Sequence, residues 1–313
     1  MKSYKRLEDN PMFERTDCLV CGGSSVRSIL AIPYGRLKQK KTLDYSHIGI
    51  DTETIMNVDK CNKCGFVYAN PRIKVQYEGR IYNESNQGLH AKVALLEGTP
   101  EYYASLMKRR LSYLPIIVRA IKLADRGSQL TFLDVGCGFG HTLALARELG
   151  LDAYGTDISK ESVASCQKQG LRVFEPGEFD AQQPDLKFDI IVTQSIIEHA
   201  VDLNGFMTWV AGRSKSGTIL YANGLTPELI DVERKRNSFV KAHFVERINY
   251  FPAATLRTFM SGHGFTEVEK DVVMVNARSI EVPRILVDAA KKVMRRADVK
   301  TFGKYYRYGA TAP

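Results

Sequence analysis

The chain has 313 residues, 44% of them hydrophobic, and a formal net charge of +9. That is enough to bury a full α/β core and still form a second module. No apolar run approaches the roughly 18 residues of a spanning helix, and the opening Met1-Lys2-Ser3-Tyr4-Lys5-Arg6 lacks the apolar core of a signal peptide, so a cytoplasmic location is expected.

The first chemistry in chain order is a pair of knuckles, Cys18-Leu19-Val20-Cys21 and Cys61-Asn62-Lys63-Cys64, which hold four of the six cysteines. Two Cys-x-x-Cys pairs separated by a loop supply four thiolates for tetrahedral zinc. Gly22 and Gly65 follow the pairs directly, where the backbone must turn so that amides can face the sulfurs. A redox Cys-x-x-Cys would occur once, opening a helix after a strand. Four protein ligands leave no open position, so the expected zinc is structural, in a ribbon module over residues 1–75. Cys137 and Cys166 fall outside it. Residues 76–127 are expected to form a lid and a linker helix, with Tyr77, Tyr82 and Tyr103 as candidate lid aromatics.

A strand over Leu130–Val135 then runs into the turn Gly136-Cys137-Gly138-Phe139-Gly140 and a helix from His141 to Leu149. Alternate glycines let a loop bend sharply and let a ligand approach the backbone. The acid at the strand end, Asp134, would repel a phosphate but would suit a cationic ligand. A second strand, Leu151–Thr156, ends at Asp157, 23 residues after Asp134. That is where a doubly wound fold places the carboxylate that accepts ribose hydroxyls, and Ile158 would pack on the adenine. Residue 141 is His, so the dinucleotide spacing Gly-x-Gly-x-x-Gly is broken and a nicotinamide-dependent oxidoreductase is disfavoured. Phe188–Gln194 reads as a central parallel strand buried on both faces. A helix over Asn204–Arg213, a fifth strand over Ser216–Asn223 and a helix over Pro252–His263 follow. The expected fold is α/β, a doubly wound, mostly parallel, Rossmann-like sheet of seven strands, with its ligand at the carboxyl ends of the strands.

These motifs resemble the class I S-adenosylmethionine-dependent methyltransferases. The resemblance implies S-adenosylmethionine as cofactor in a domain over residues 128–275. Asp134, Gly136, Cys137, Gly138, Gly140, His141, Asp157, Ile158, Asp180 and Gln194 would hold it, with Tyr82 from the lid. The stretch Cys61-Asn62-Lys63-Cys64-Gly65-Phe66-Val67-Tyr68-Ala69-Asn70-Pro71-Arg72, then Ile81-Tyr82, resembles the N-terminal part of bacterial sugar and surface-polysaccharide methyltransferases. The sugar C-methyltransferases of that group carry a further C-terminal domain for which 313 residues leave no room, so O-methylation of a sugar hydroxyl is expected.

After the fourth strand, Gln194-Ser195-Ile196-Ile197-Glu198-His199 resembles the Leu-Glu-His-x-x-Asp signature of methyltransferases similar to the ubiquinone-biosynthesis O-methyltransferases. In some of those a Glu three residues upstream joins the pair in binding magnesium. Ser195 stands there in this chain, so the magnesium-binding pattern is incomplete and the sequence leaves a metal at this site open. His199 is the first candidate for general base, because imidazole titrates near neutrality, and Glu198 would support it. The alternative is that the pair caps a short helix and positions a loop. An insertion over residues 224–251 is expected to wall the acceptor pocket and holds the second candidate base, His243. Its Arg234, Lys235, Arg236, Lys241 and Arg247 suit an anionic acceptor, a sugar nucleotide or lipid-linked glycan. The last segment, 276–313, contains a basic amphipathic helix over Val282–Val299. It would pack on its own domain or a partner, or touch the inner face of a membrane peripherally.

Two rival functions stay open from sequence. An RNA methyltransferase acting on ribose or a ring carbon suits a basic ribbon protein, although Thr193-Gln194-Ser195-Ile196 lacks the Asn/Asp-Pro-Pro-Tyr/Phe of amino-group enzymes. A non-catalytic protein keeping the cofactor fold is disfavoured by the intact Asp134, glycine turn and Asp157.

Overall fold

A computed structural model of the chain describes residues 4–37, 44–81, 99–124, 129–236, 244–268 and 301–309. The N-terminal third gives strands β1 (Lys5–Arg6), β2 (Phe13–Glu14), β3 (Val26–Pro33), β4 (Thr54–Cys61), β5 (Val67–Ala69) and β6 (Arg72–Ile73). Helix α1 (Pro100–Ala124) leads to β7 (Thr131–Val135), α2 (His141–Glu148), β8 (Asp152–Thr156), α3 (Lys160–Lys168) and β9 (Val173–Phe174). Then come α4 (Pro176–Gln182), β10 (Phe188–Thr193), α5 (Leu203–Gly212), β11 (Ser214–Leu225) and α6 (Glu228–Lys235). β12 (Asn249–Tyr250), α7 (Ala253–Gly262), β13 (Phe265–Val268) and β14 (Thr301–Tyr308) complete the described elements.

The α/β half of the sheet runs β9-β8-β7-β10-β11-β14-β13, seven strands of which β14 alone is antiparallel to β11. Every residue of β10 is buried, as a strand covered by helices on both faces requires. Local signals agree with the helix starts: Pro176 opens α4, and the Ser159 hydroxyl and Asp202 carboxylate cap α3 and α5 by accepting from Ser162 and Gly205. Ile117, Ala120 and Ala124 of α1 pack with Phe132, Leu143 and Ile190 on one face of this sheet.

Two expectations change. Residues 301–308, assigned from sequence to a tail, form the strand between β11 and β13; Tyr306 is fully buried and Tyr305 is 9% exposed, so both faces are covered. The basic helix expected over 282–299 lies outside the described residues. The N-terminal module is also not physically separate. β11 continues to Leu225, which pairs with Tyr250 of β12; β12 pairs with β5, β5 with β4, and β4 with β3 and β1. The result is one sheet of twelve strands, beside a small β2-β6 ribbon. Cys18, Cys61, Phe66 and Tyr68 share a core cluster with Leu133, Phe188, Leu220 and Phe251. The N-terminal strands therefore sit beyond the carboxyl end of β10, where this fold keeps its ligand.

Candidate active site

Between β7 and α2 the glycine turn has the shape a ligand cradle needs. Gly138 takes φ +53° and Gly140 φ +72°, left-handed values that disfavour a side chain. A Cβ at Gly138 would meet nothing within 4 Å, whereas one at Gly140 would strike Leu171 Cδ1 at 2.6 Å and Cys166 Sγ at 2.9 Å. Gly140 serves packing; Gly138 faces open space. Asp157 braces the turn by accepting the backbone N–H groups of Gly138 and Ser159, both at 2.8 Å. Asp134 is 2% exposed, one of its carboxylate oxygens has no hydrogen-bond partner, and burial followed by the charge of Asp157 pushes its carboxyl up to about 8. A cation arriving there would complete an unsatisfied acid, so the residues fit the ammonium-bearing cofactor that the sequence implied.

Cys137 is buried in the core, where a hydrogen bond with Cys166 and burial hold its thiol well above its ordinary value. Its amide is used on the Thr156 carbonyl at 3.0 Å. Burial, then the charges of Arg109 and Arg110, lower His141 to about 4, so it is neutral near pH 7. Gln194 keeps a buried side-chain oxygen without a hydrogen-bond partner. Tyr82 lies outside the described residues, as does the side chain of Tyr103.

A cleft of about 580 Å³ opens at the carboxyl ends of β7, β8 and β10. Gly136, Asp157, Ile158 and Asp180 line it, together with Phe206 and Trp209 of α5. Those two aromatics were missed because their spacing reads equally well as the packing face of a helix. Asp180 accepts from Trp209 Nε1 at 2.8 Å and pairs with Arg213, so its charge is already answered.

At the other end the cleft is walled by the loop after β10. Ser195 takes φ +55°, a strained value for a residue with a side chain, and its amide donates to Asn223 Oδ1 at 2.6 Å. His199 lines the cleft, with its Nε2 4.0 Å from Glu198 Oε1. Burial, then the charge of Arg247, lowers His199 to about 3, against a hydrogen bond to the Glu246 backbone. The expected titration near neutrality is therefore corrected: this imidazole is neutral throughout the neutral range. Glu198 is 3% exposed, and burial pushes it up to about 7. Its Oε2 has no hydrogen-bond partner, while its backbone carbonyl accepts from Ile248 at 2.8 Å and Asn249 at 3.1 Å.

The N-terminal module holds this loop. Arg72, 2% exposed, donates to the carbonyls of Ala200 at 2.9 Å and Val201 at 3.0 Å and to Asn249 Oδ1 at 3.3 Å. Asn249 Nδ2 donates to the carbonyls of Ile197 and Ala200, and Glu78 accepts the Val201 amide at 3.4 Å. Glu246 accepts the Tyr45 hydroxyl at 2.6 Å. The expected basic wall does not materialise among the described residues. Arg234 donates to the Ile29 carbonyl, and the cleft lining carries Glu78, Asp157, Asp180, Asp202 and Glu246 with no Lys or Arg. His243 and Lys241 lie outside the described residues.

The four knuckle cysteines converge, with all Sγ atoms within 4.8 Å of one another, Cys18 to Cys64 at 3.5 Å and Cys21 to Cys61 at 3.6 Å. Four sulfurs about 2.3 Å from a common centre would lie at about such separations, so the donor set fits a tetrahedral metal. Among the described residues no helix is long and apolar enough to cross a membrane.

Comparison with known proteins agrees with this geometry. A family profile described as a methyltransferase domain matches residues 101–270. Ajmaline N-methyltransferase of Rauvolfia serpentina is 33% identical over 177 residues, covering 48% of this chain and 61% of that protein. A ubiquinone biosynthesis O-methyltransferase of Rhodopseudomonas palustris is 28% identical over 98 residues, covering 30% of this chain and 39% of that enzyme. The chain thus spans about three fifths or less of these relatives' lengths. The magnesium protoporphyrin IX methyltransferase structure from Synechocystis superposes with TM-score 0.49 at 13% identity, over 75% of this chain and 100% of that one. With more than half of its residues under the family profile and the sheet order described above, this chain belongs to the methyltransferase-domain family, with the class I S-adenosylmethionine-dependent fold.

Proposed function

We propose that the chain transfers a methyl group from S-adenosylmethionine to a hydroxyl of a sugar, either nucleotide-linked or in a surface polysaccharide. The observation that carries methyl transfer is a single cleft with Gly136 and Asp157 at one end and a neutral His199, backed by Glu198, at the other. The cofactor supplies an electrophilic methyl on a sulfonium. Asp157 would accept the ribose hydroxyls, Ile158, Phe206 and Trp209 would cover the adenine, and Asp134 would face the ammonium. His199, neutral and so able to accept, would take the acceptor proton, with Glu198 packed beside it. Positioning supplies most of such a rate, which suits a loop fixed by Arg72 and Asn249.

The names of the two relatives, an N- and an O-methyltransferase, leave the accepting atom open; the Glu198-His199 motif favours oxygen. A carboxylate-lined cleft disfavours RNA, whose phosphates it would repel. Cys18, Cys21, Cys61 and Cys64 would hold a structural zinc. We place the protein in the cytoplasm, with peripheral membrane contact through residues 282–299 as the lipid-linked variant of the same reading. The test is a screen of sugar nucleotides and polysaccharide fragments with methyl-labelled S-adenosylmethionine. Label transferred to a sugar oxygen is expected; transfer only to nucleic acid or protein would overturn it.

A further inference from the structure

Resting on the reading of His199 as the base of a methyl-transfer site, we propose that Tyr45, between β3 and β4, is a positioning residue that fixes the tautomer of His199 through Glu246. Two hydrogen bonds in series make the link. The Tyr45 hydroxyl donates to Glu246 Oε1 at 2.6 Å, across 201 positions of chain. The main-chain carbonyl of Glu246 in turn accepts the ring N–H of His199. Glu246 and His199 both line the cleft. Tyr45 is well anchored for such a task. It is 1% exposed, its carbonyl accepts from Ile48 at 3.0 Å and Ile50 at 3.1 Å, and its ring meets Tyr34 edge-on with centroids 5.9 Å apart.

The segment that carries Glu246 is clamped between this core and the loop of the base. Val245 and Ile248 pack in the same apolar cluster as Tyr45, while the amides of Ile248 and Asn249 donate to the Glu198 carbonyl at 2.8 and 3.1 Å. The segment begins at Phe244 with φ +60°, a left-handed value that a residue with a side chain keeps only where its surroundings hold it. Apolar packing is non-directional, so it sets where the segment lies but not how the Glu246 peptide is turned. The Tyr45 hydroxyl supplies a directional contact there. Burial and Arg247 keep the His199 ring neutral, which leaves its tautomer as the remaining variable. A neutral imidazole has one N–H and one lone pair, and the group that accepts the N–H decides which nitrogen bears the lone pair. With the N–H held on the Glu246 carbonyl, the other nitrogen carries the lone pair that a general base needs.

The experiment is nuclear magnetic resonance of the full chain, isotope-labelled at the histidine nitrogens, at neutral pH and without cofactor. His199 is identified by the signals lost in His199→Ala. The wild type should show two well-separated ring-nitrogen shifts for His199, one protonated and one bare, the signature of a single neutral tautomer. Tyr45→Phe removes only the hydroxyl and should draw the two shifts together, as exchange between tautomers averages them. Glu246→Gln keeps an oxygen for the Tyr45 hydroxyl and should leave the shifts separated, which divides the hydrogen bond from the charge. Calorimetry of S-adenosylhomocysteine runs alongside, with equal affinity expected in the wild type and Tyr45→Phe. Failure of the wild type to bind it would refute the methyl-transfer reading itself, whatever the tautomer. The positioning role is overturned by averaged shifts in the wild type, by separated shifts in Tyr45→Phe, or by averaging in Glu246→Gln. Loss of S-adenosylhomocysteine binding in Tyr45→Phe would also overturn it, because Tyr45 would then serve the fold and not the base.

Discussion

Replacing Arg72 with methionine keeps most of the volume and removes the charge and all donors. Val201 O and Asn249 Oδ1 then lose the guanidinium contacts at 3.0 and 3.3 Å, while Ala200 O keeps Asn249 Nδ2 at 2.8 Å. Two orphaned buried acceptors cost about 1–3 kcal/mol each, or about 4 kcal/mol at mid-range. Against this, burial pulls Arg72 down to about 10 from the ordinary guanidinium value, which corresponds to about 3 kcal/mol of disfavoured charge that the variant no longer buries. The difference is about 1 kcal/mol of global stability. The local effect should be larger, since both orphaned groups hold the loop that carries Glu198 and His199. Urea unfolding should show a small shift in midpoint, and hydrogen exchange should show faster amides at 198–202 with the β7 and β10 amides unchanged. Arg72→Lys should recover little, because a point charge cannot span two carbonyls and an amide oxygen. Unchanged exchange at 198–202, or a global loss above about 5 kcal/mol, would refute the reasoning.

Asp134 predicts a pH signature for cofactor binding. Its carboxyl is raised, so the cofactor-free chain holds a proton there below about pH 8. The raised value also means that its contribution to stability falls as pH climbs from about 4 to about 8. S-adenosylmethionine affinity should increase over the upper part of that window with release of a proton, measurable by calorimetry in buffers of different ionisation enthalpy; a flat profile would count against the role. Asp157→Ala removes the brace of Gly138 and Ser159 together with the ribose acceptor, and should weaken cofactor binding by at least about 1.5–3 kcal/mol, roughly tenfold or more. Metal analysis should find one zinc per chain, and Cys61→Ser should lower the melting temperature of the whole protein, since Cys61 is 1% exposed in the core shared with β7 and β10. His199→Ala should reduce turnover by about 10² or more. The wild type should show no activity step near pH 6.5 from this imidazole, and such a step, lost in the variant, would contradict its burial.

The α/β half was legible because its signals are local. The buried run Phe188–Thr193, the turn from Gly136 to Gly140, and Asp157 each announce themselves within a few residues. What the sequence hid depends on partners far along the chain. Residues 301–308 become a strand only because β11 and β13 leave a slot between them. Arg72 reads as an ordinary charged residue until Ala200 and Val201, more than a hundred positions away, present their carbonyls. His199 was expected to titrate near neutrality because burial and Arg247 cannot be seen from its neighbours in sequence. The basic residues of 224–251 suggested an anionic pocket ligand, but charge composition does not say which way a side chain points, and the described lining is acidic.

The branching of the sheet at β11 constrains how the chain can be made. β5, near residue 68, finds its partner β12 only at residues 249–250, and β14 cannot enter its slot until residues beyond 300 have been synthesised. On the ribosome, neither β5, which follows the second cysteine knuckle, nor the core strand β11 can be fully paired during most of translation. Pairings this distant in sequence are slow to form and leave edges exposed meanwhile. Expression of the isolated N-terminal segment, or of a chain cut before residue 301, is therefore expected to give aggregation instead of a soluble fragment, whatever metal is supplied.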